Sequence, residues 1–349
     1  MSMAPTVSVI MAAYNGAALI PETVASLQAQ TLTDFEVVIV DDCSTDNTRH
    51  VLRAINDPRF RVIEAEVNQG PVRTRNTAVT HARGRYLAGL DQDDLCLPER
   101  FAKQVAYLDA NPDTVLVGTG AAWLDDGIVT SAPRTAVSTP ALIEWLLRIE
   151  NPLVWSSVMV RASAASDPFT DPVRLYAEDF DLYQRMSRIG RIARLDEELV
   201  IYRRHAGGAS QRYTETMTAN AARVLADSYV SVFGDESDAA AWLIVRHMMA
   251  HAPIPDRATL AALGEVLTKL QADFLATHEI DAESLKMIRW ETARRWGRVG
   301  RIALRSGTLT LADIVSARPD HLGMGYQGME ELVLSRLIGT ARAAKRRYS

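Results

Sequence analysis

Apolar residues in the first third of the chain gather in short runs: Val7 to Ala13, Phe35 to Val40, Phe60 to Ile63, Tyr86 to Leu90 and Thr114 to Gly118. Runs of this length with little alternation predict strands buried on both faces. Between them the period changes. Ile20, Val24 and Leu27 recur at helical spacing with Pro21 near the start, and Phe101, Val105 and Leu108 do the same after Pro98. Thr48 to Ile55 and Val72 to Ala82 are predicted helices as well. Repeated strand–helix units of this size predict an α/β fold with a Rossmann-like, mostly parallel sheet and helices on both faces.

Beyond Gly120 the pattern mixes. A helix is predicted from Thr139-Pro140 to Arg148, and a strand from Trp155 to Val160, where apolar positions alternate. Ala177 to Ile189 reads as a helix, and Ile192 to Leu195 and Leu199 to Tyr202 as two short strands. After about Ser210 strand signals vanish and Ala- and Leu-rich helical segments run to the end. The expected organisation is residues 1–210 as the α/β domain and 211–349 as a helical region with an acceptor, dimer or membrane-surface role.

Composition narrows the function. The net charge is −5 over 349 residues, which argues against bulk binding to nucleic acid. The two cysteines, Cys43 and Cys96, exclude a disulfide scaffold and offer no zinc spacing, so a reducing, cytoplasmic setting is expected. The opening MSMAPTVSVIMAAYNG reads as a strand and not a leader, and no apolar stretch approaches the roughly 18–20 residues of a membrane span.

Ligands of an open parallel sheet bind beyond the carboxyl ends of its strands. Predicted strand one ends at Tyr14-Asn15, strand two at Asp41-Asp42, and strand four at Asp91-Gln92-Asp93-Asp94. Carboxylates crowded on one edge repel one another, and a hard divalent cation relieves that. The Asp91-x-Asp93 pair is either a metal clamp on a diphosphate or an acidic cap on the next helix. Asp42 either accepts from a base or ribose or caps the helix near Thr48. Tyr14 either stacks on a base or packs at the domain edge. Arg73 and Arg75, two apart on a helix, point different ways, and either could face phosphate. Glu178-Asp179 opens a helix, as a general base or as plain capping. His205, after Tyr202-Arg203-Arg204, is either a metal ligand or structural.

Taken together, VSVIMAAYNG (7–16), DFEVVIVDDCSTDNT (34–48), NQGPVRTRNTA (68–78), GRYLAGLDQDDLCLPERF (84–101) and YAEDFDLYQRM (176–186) resemble the family 2 glycosyltransferases of bacterial polysaccharide and glycolipid type. Their order and spacing match as well as their letters, and the resemblance covers about residues 5–210. It implies a GT-A fold and inverting transfer of a sugar from a nucleotide-diphosphate donor, UDP favoured, to a hydroxyl of a glycan or lipid-linked acceptor. By resemblance, Ala12, Tyr14, Asn15, Asp42, Arg75, Asp91, Gln92 and Asp93 bind the nucleotide sugar. Asp93, Asp94 and His205 hold Mn²⁺ or Mg²⁺. Asp179 is the catalytic base, with Glu178 beside it. The Gln-x-x-Arg-Trp motif of processive synthases is absent, which favours the addition of one or a few sugars.

Rival folds lack their signatures: no G-x-G-x-x-G follows the first predicted strand, and no P-loop motif occurs. A non-catalytic nucleotide-sugar-binding scaffold remains the alternative. A homodimer is left open. The tail Arg342 to Arg347 is basic, either a solvated helix end or a peripheral contact with an anionic membrane. Removing the last eight residues decides between them: loss of vesicle binding supports the contact, and unchanged binding ends it.

Overall fold

The structure is a computed structural model that describes residues 4–132, 137–205, 212–319, 322 and 329–347. Two compact units emerge: Met1–Pro140 with Pro152–Met217, and Ala141–Asn151 with Thr218–Ser349.

The first unit is built on one nine-stranded sheet. Strands β1 (Val7–Ala13), β2 (Phe35–Asp41), β3 (Phe60–Glu64) and β4 (Tyr86–Gly89) are parallel in the order 3-2-1-4. Helices α1 (Ile20–Gln28), α2 (Thr48–Arg53), α3 (Pro71–Thr80) and α4 (Arg100–Ala110) alternate with them. The cores of β1, β2 and β4 are buried, as their apolar runs require, whereas β3, at the sheet edge, is only partly buried. Register aligns their ends: Ala13 pairs with Asp41, and Ile10 with Gly89. Chain segments leaving β1, β2 and β4 therefore start from one edge.

Past β4 the sheet is mixed. It continues through β8 (Met159–Arg161), β6 (Thr114–Asp125), β9 (Arg191–Arg204) and the short β5 (Leu95–Cys96). Gly89 lets β8's approach come close: a Cβ there would stand 2.7 Å from the Trp155 carbonyl oxygen.

Three expectations are corrected. Trp155 to Val160 is not one strand: Trp155–Ser157 forms a 3₁₀ turn before β8. Ser157 bonds back to the Val154 oxygen through both its amide and its hydroxyl, which competes with a strand ladder. The two short strands near 192 and 199 are one strand, β9, whose polar Asp196-Glu197 step is absorbed where the register to β6 shifts between Thr119 and Gly120. Strand β6 runs on to Asp125, then turns through Asp126-Gly127, both at positive φ, into β7 (Ile128–Ser131). That Asp-Gly hairpin signal was readable.

Helix α5 (Pro140–Leu147) leads into the second unit, which is otherwise helical: 214–233, 237–244, 257–277, 282–306, 311–316 and 329–347. Asp256 and Asp281 cap two helix starts, and Thr310 with Asp313 forms a capping box. Trp145 is buried, donates to Thr292 Oγ1 at 2.8 Å and packs on Phe274. Arg295 binds Glu150 and Glu291 together. Among the described residues no helix is long and apolar enough to cross a membrane. The basic tail is helical to Arg347, but its side chains lie outside the described residues, as does the expected boundary at 210–211.

Asp57, in the turn before β3, accepts from Arg59 N, Nε and Nη2, and the Arg59 guanidinium lies over the Phe35 ring. The bonds from Arg59 outweigh burial and hold the Asp57 pKa down to about 2. A carboxylate depressed on folding contributes stability above its unfolded pKa, and that contribution is lost as pH falls through the folded value. Asp57→Asn should cost about 1 kcal/mol near neutral pH and flatten the loss of stability between about pH 4 and 2. Thermal melts across that window check it; an acid limb identical to wild type would refute the role.

Candidate active site

A cavity of about 650 Å³ opens at the edge where β1, β2 and β4 end. Its walls come from Ala12 to Tyr14, Asp42, the 68–73 turn, Arg75, Asp91 to Asp93, the 172–176 segment and the end of β9. All of these belong to the first unit.

Asp42 is 3% exposed and accepts from two backbone amides, Gln69 N at 2.8 Å and Gly70 N at 2.9 Å. It does not cap the helix at Thr48; Asp46 accepts from Thr48 N instead. Asp42 thus pins the turn opening α3 to the end of β2. Tyr14 is half exposed at the cavity edge. Gln92 is tied to its backbone in both directions: Tyr14 N donates to Gln92 Oε1, and Gln92 Nε2 donates to Tyr14 O, each at 3.0 Å. That leaves no room for a side chain at position 16, where a Cβ would stand 2.2 Å from Gln92 Oε1. Asn15, at positive φ, turns away from the cavity lining and accepts from Thr45 N.

Arg75 holds the centre. It is 9% exposed. Its Nη1 meets Glu178 Oε1 at 2.6 Å, its Nη2 meets Asp91 Oδ1 at 2.7 Å, and its Cζ lies 4.9 Å from the Trp155 ring centroid. Burial disfavours its charge, but Asp91 and Glu178 outweigh that and hold its pKa above the ordinary arginine value. Arg73 lines the same cavity from an exposed position.

The acidic run after β4 divides by environment. Asp91 and Asp93 line the cavity and Asp94 does not. Asp93 Oδ2 lies 2.9 Å from His205 Nε2. Burial and then the charge of Asp91 raise the Asp93 pKa, against the pull of His205. Asp94 is fully buried, accepts from Arg203 N at 2.9 Å, and takes a short bond from the Ser156 hydroxyl. Burial, with Asp91 and Asp93 nearby, pushes its pKa well up. Its carboxyl group braces the loop against β9 through Arg203 N.

Helix α6 (Glu178–Met186) brings the Glu-Asp pair. The N-cap position itself is Ala177, which has no side-chain cap bond. Glu178 is buried against Arg75. Asp179 is half buried, accepts from Phe180 N, and is near enough to Arg75 to raise its pKa. Neither lines the cavity, although Tyr176, two residues before, does. Tyr176 has φ 67° and stacks on Tyr213 at 4.3 Å. Burial, then Tyr213, pushes its pKa up to about 12.

The residues present suit a hard divalent cation at Asp93 and His205. A carboxylate and an imidazole stand within bonding reach of each other, and burial, then the charge of Asp91, raises the Asp93 pKa. Among the described residues no group of three or more His, Cys, Asp or Glu side chains is arranged to hold a metal.

Sequence reading missed the 69–70 amides on Asp42, Ser156 on Asp94, Trp155 under Arg75, and the Tyr176–Tyr213 stack. Only Arg203 carried a signal, as part of the Tyr-Arg-Arg-His run.

Residues 8–157 match the family described as Glycosyl transferase family 2. An uncharacterized glycosyltransferase of Haemophilus influenzae is 29% identical over 236 residues, covering 64% of this chain and 73% of that protein. The chain spans only 30% and 59% of two other curated relatives. Among solved structures, S. aureus TarS 1-349 in complex with UDP-GlcNAc shares 18% identity over 97% of this chain and 92% of that one, with a TM-score of 0.55. The mannosyltransferase PcManGT of Pyrobaculum calidifontis, with GDP-Man and Mn²⁺, shares 20% identity over 90% and 86%, at 0.50. At such identities the structures speak for the GT-A fold alone. The matched domain, the glycosyltransferase relatives and that fold together support a family 2 glycosyltransferase domain over residues 8–157.

Proposed function

We propose that the chain moves a hexose from a nucleotide-diphosphate donor, UDP favoured, to a hydroxyl of a glycan or lipid-linked acceptor, with inversion at the anomeric carbon. The observation that carries this reading is the Asp93–His205 pair beside Asp91 and Arg75 at the carboxyl edge of the sheet. The Mn²⁺ in the PcManGT complex supports the metal-dependent form, and the UDP-GlcNAc in the TarS complex supports a nucleotide-sugar donor.

Ala12, Tyr14 and Asp42 form the nucleoside end. Tyr14 offers its exposed ring to a base. Asp42 keeps spare lone pairs for a base N–H or a ribose hydroxyl after accepting its two amides. Asn15 and Gln92 serve the donor indirectly, by holding the loops around Tyr14. Asp93 and His205 would hold the cation, which when bound supplies charge stabilisation for the departing diphosphate. Asp91 faces the same space and is kept in aim by Arg75. Asp94 is assigned to bracing and not to the metal, because it is fully buried behind the cavity lining on Ser156 and Arg203.

On the acceptor side, Asp179 is the base. Inversion in one step needs a single carboxylate to take the hydroxyl proton as the new bond forms. Glu178 is a poorer candidate, since Arg75 occupies its carboxylate inside the protein. The helical region and its basic tail are proposed to meet a membrane-borne acceptor or a second copy of the chain.

Calorimetry with UDP, dTDP and GDP, with and without Mn²⁺, tests the donor site. One nucleotide should bind with metal and lose about tenfold or more in affinity in Asp93→Ala. A folded wild type that binds none of the three overturns the reading. Asp179→Asn separates the base from binding: turnover of the donor should fall by about 10²–10⁴ while nucleotide affinity stays put. Unchanged turnover would reassign the base.

A further inference from the structure

Four polar atoms around Arg75 lack a hydrogen-bond partner: Arg75 Nε, Trp155 Nε1, Glu178 Oε2 and the Tyr183 hydroxyl. Their residues are 9%, 6%, 5% and 0% exposed. They are neighbours. Arg75 ion-pairs with Glu178 and stacks on Trp155. Tyr183 lies just over a helical turn after Glu178 on α6, and its hydroxyl feels the charges of Asp179, Arg75, Asp91 and Glu178.

The set is chemically complementary. Arg75 Nε–H and Trp155 Nε1–H only donate, Glu178 Oε2 only accepts, and a tyrosine hydroxyl does either. Buried polar groups are rarely left unpaired in native proteins. A buried water settles where roughly two to four polar partners converge, and these unpaired atoms supply the right mix of donors and acceptors for one.

We propose that Arg75, Trp155, Glu178 and Tyr183 enclose a buried water site behind the cavity wall, and that Tyr183 is a positioning residue acting through this water on the Arg75–Asp91 bridge. The water accepts from Arg75 and Trp155 and donates to Glu178 and Tyr183. It holds the Nε edge of the guanidinium, which the two carboxylates leave untouched. Nη2 then keeps its aim on Asp91 in the cavity wall. Burial pushes the Tyr183 pKa well up, so the hydroxyl stays neutral. The water site stands on this geometry alone; the positioning role rests on the donor site proposed above.

The full chain serves for the test. A crystal structure fine enough to show ordered solvent should hold water bonded to at least two of the four atoms. Side chains closed on one another without solvent overturn the site. Tyr183→Phe removes only the hydroxyl. It should lower Tm and shift the Trp155 indole N–H resonance; a raised Tm with an unmoved resonance marks a dry orphan and overturns the proposal. Positioning is read by calorimetry with UDP and Mn²⁺, where Tyr183→Phe should weaken binding about tenfold. Tyr229→Phe is the control. It loses a hydroxyl bonded to the Arg148 carbonyl in the other unit, and should lower Tm with UDP affinity unchanged. Wild-type affinity in Tyr183→Phe overturns the positioning role. A wild type that binds no UDP takes that role down with the donor-site reading, while solvent, Tm and resonance still decide the water site.

Discussion

A single buried cation organises the catalytic edge. Arg75 rises from α3 and binds one carboxylate after β4 and another at the start of α6. Those two segments are far apart in sequence, and each carries a residue proposed above to act in the reaction: Asp93 follows Asp91, and Asp179 follows Glu178. An arginine suits the task because its planar fork can satisfy two carboxylates at once. A lysine's point charge cannot. Removing either partner of a buried pair leaves the other uncompensated, at a cost of about 3–5 kcal/mol, so the bridge resists loss even where its net contribution is small.

The bridge also explains how five carboxylates can share one neighbourhood. Asp91 and Glu178 share the Arg75 guanidinium, which offsets one of their two charges. Asp94 is drawn inward by the Ser156 hydroxyl and the Arg203 amide, where burial raises its pKa. Asp179 remains half exposed at a helix start, where the dipole favours its charge. Asp93 is left with His205 alone. Of the aspartates in the Asp91–Asp94 run, only Asp93 lines the cavity with no arginine on its carboxylate, and that residue is the one expected to take a cation.

The parallel half of the fold was legible because its signals are local. Short apolar runs marked β1 to β4, and helical spacing marked α1 and α4. The later strands were less so. A two-residue strand such as β5 has no period to read, and β9 hid its continuity behind Asp196-Glu197, where a bulge lets polar residues sit within one strand. At the site, positions were legible and duties were not. Asp91, Asp93 and Asp94 read alike as letters; burial and partners separate them. Ser156 gave no warning, because its duty exists only once β8 lies beside β4. Trp155 was equally silent, since an apolar residue reads as core whether or not an arginine stacks on it.

Asp42 shows why such duties escape sequence reading. An aspartate at a strand end ahead of a helix is a natural cap, yet the local helix takes Asp46 and frees Asp42 for a turn 27 residues downstream. The choice follows from the sheet. Because β2 ends level with β1 and beside β3, the carboxylate faces the turn that enters α3, whose first amides need acceptors. Asp42 satisfies the Gln69 and Gly70 amides just ahead of that helix, and so fixes α3 at its entry. The same helix carries Arg75 just over one turn on. The position of the central guanidinium, and with it the spacing between Asp91 and Glu178, is therefore set at both ends of one chain of contacts: a carboxylate at the end of β2 holds the start of α3, and two carboxylates, one after β4 and one on α6, hold its arginine.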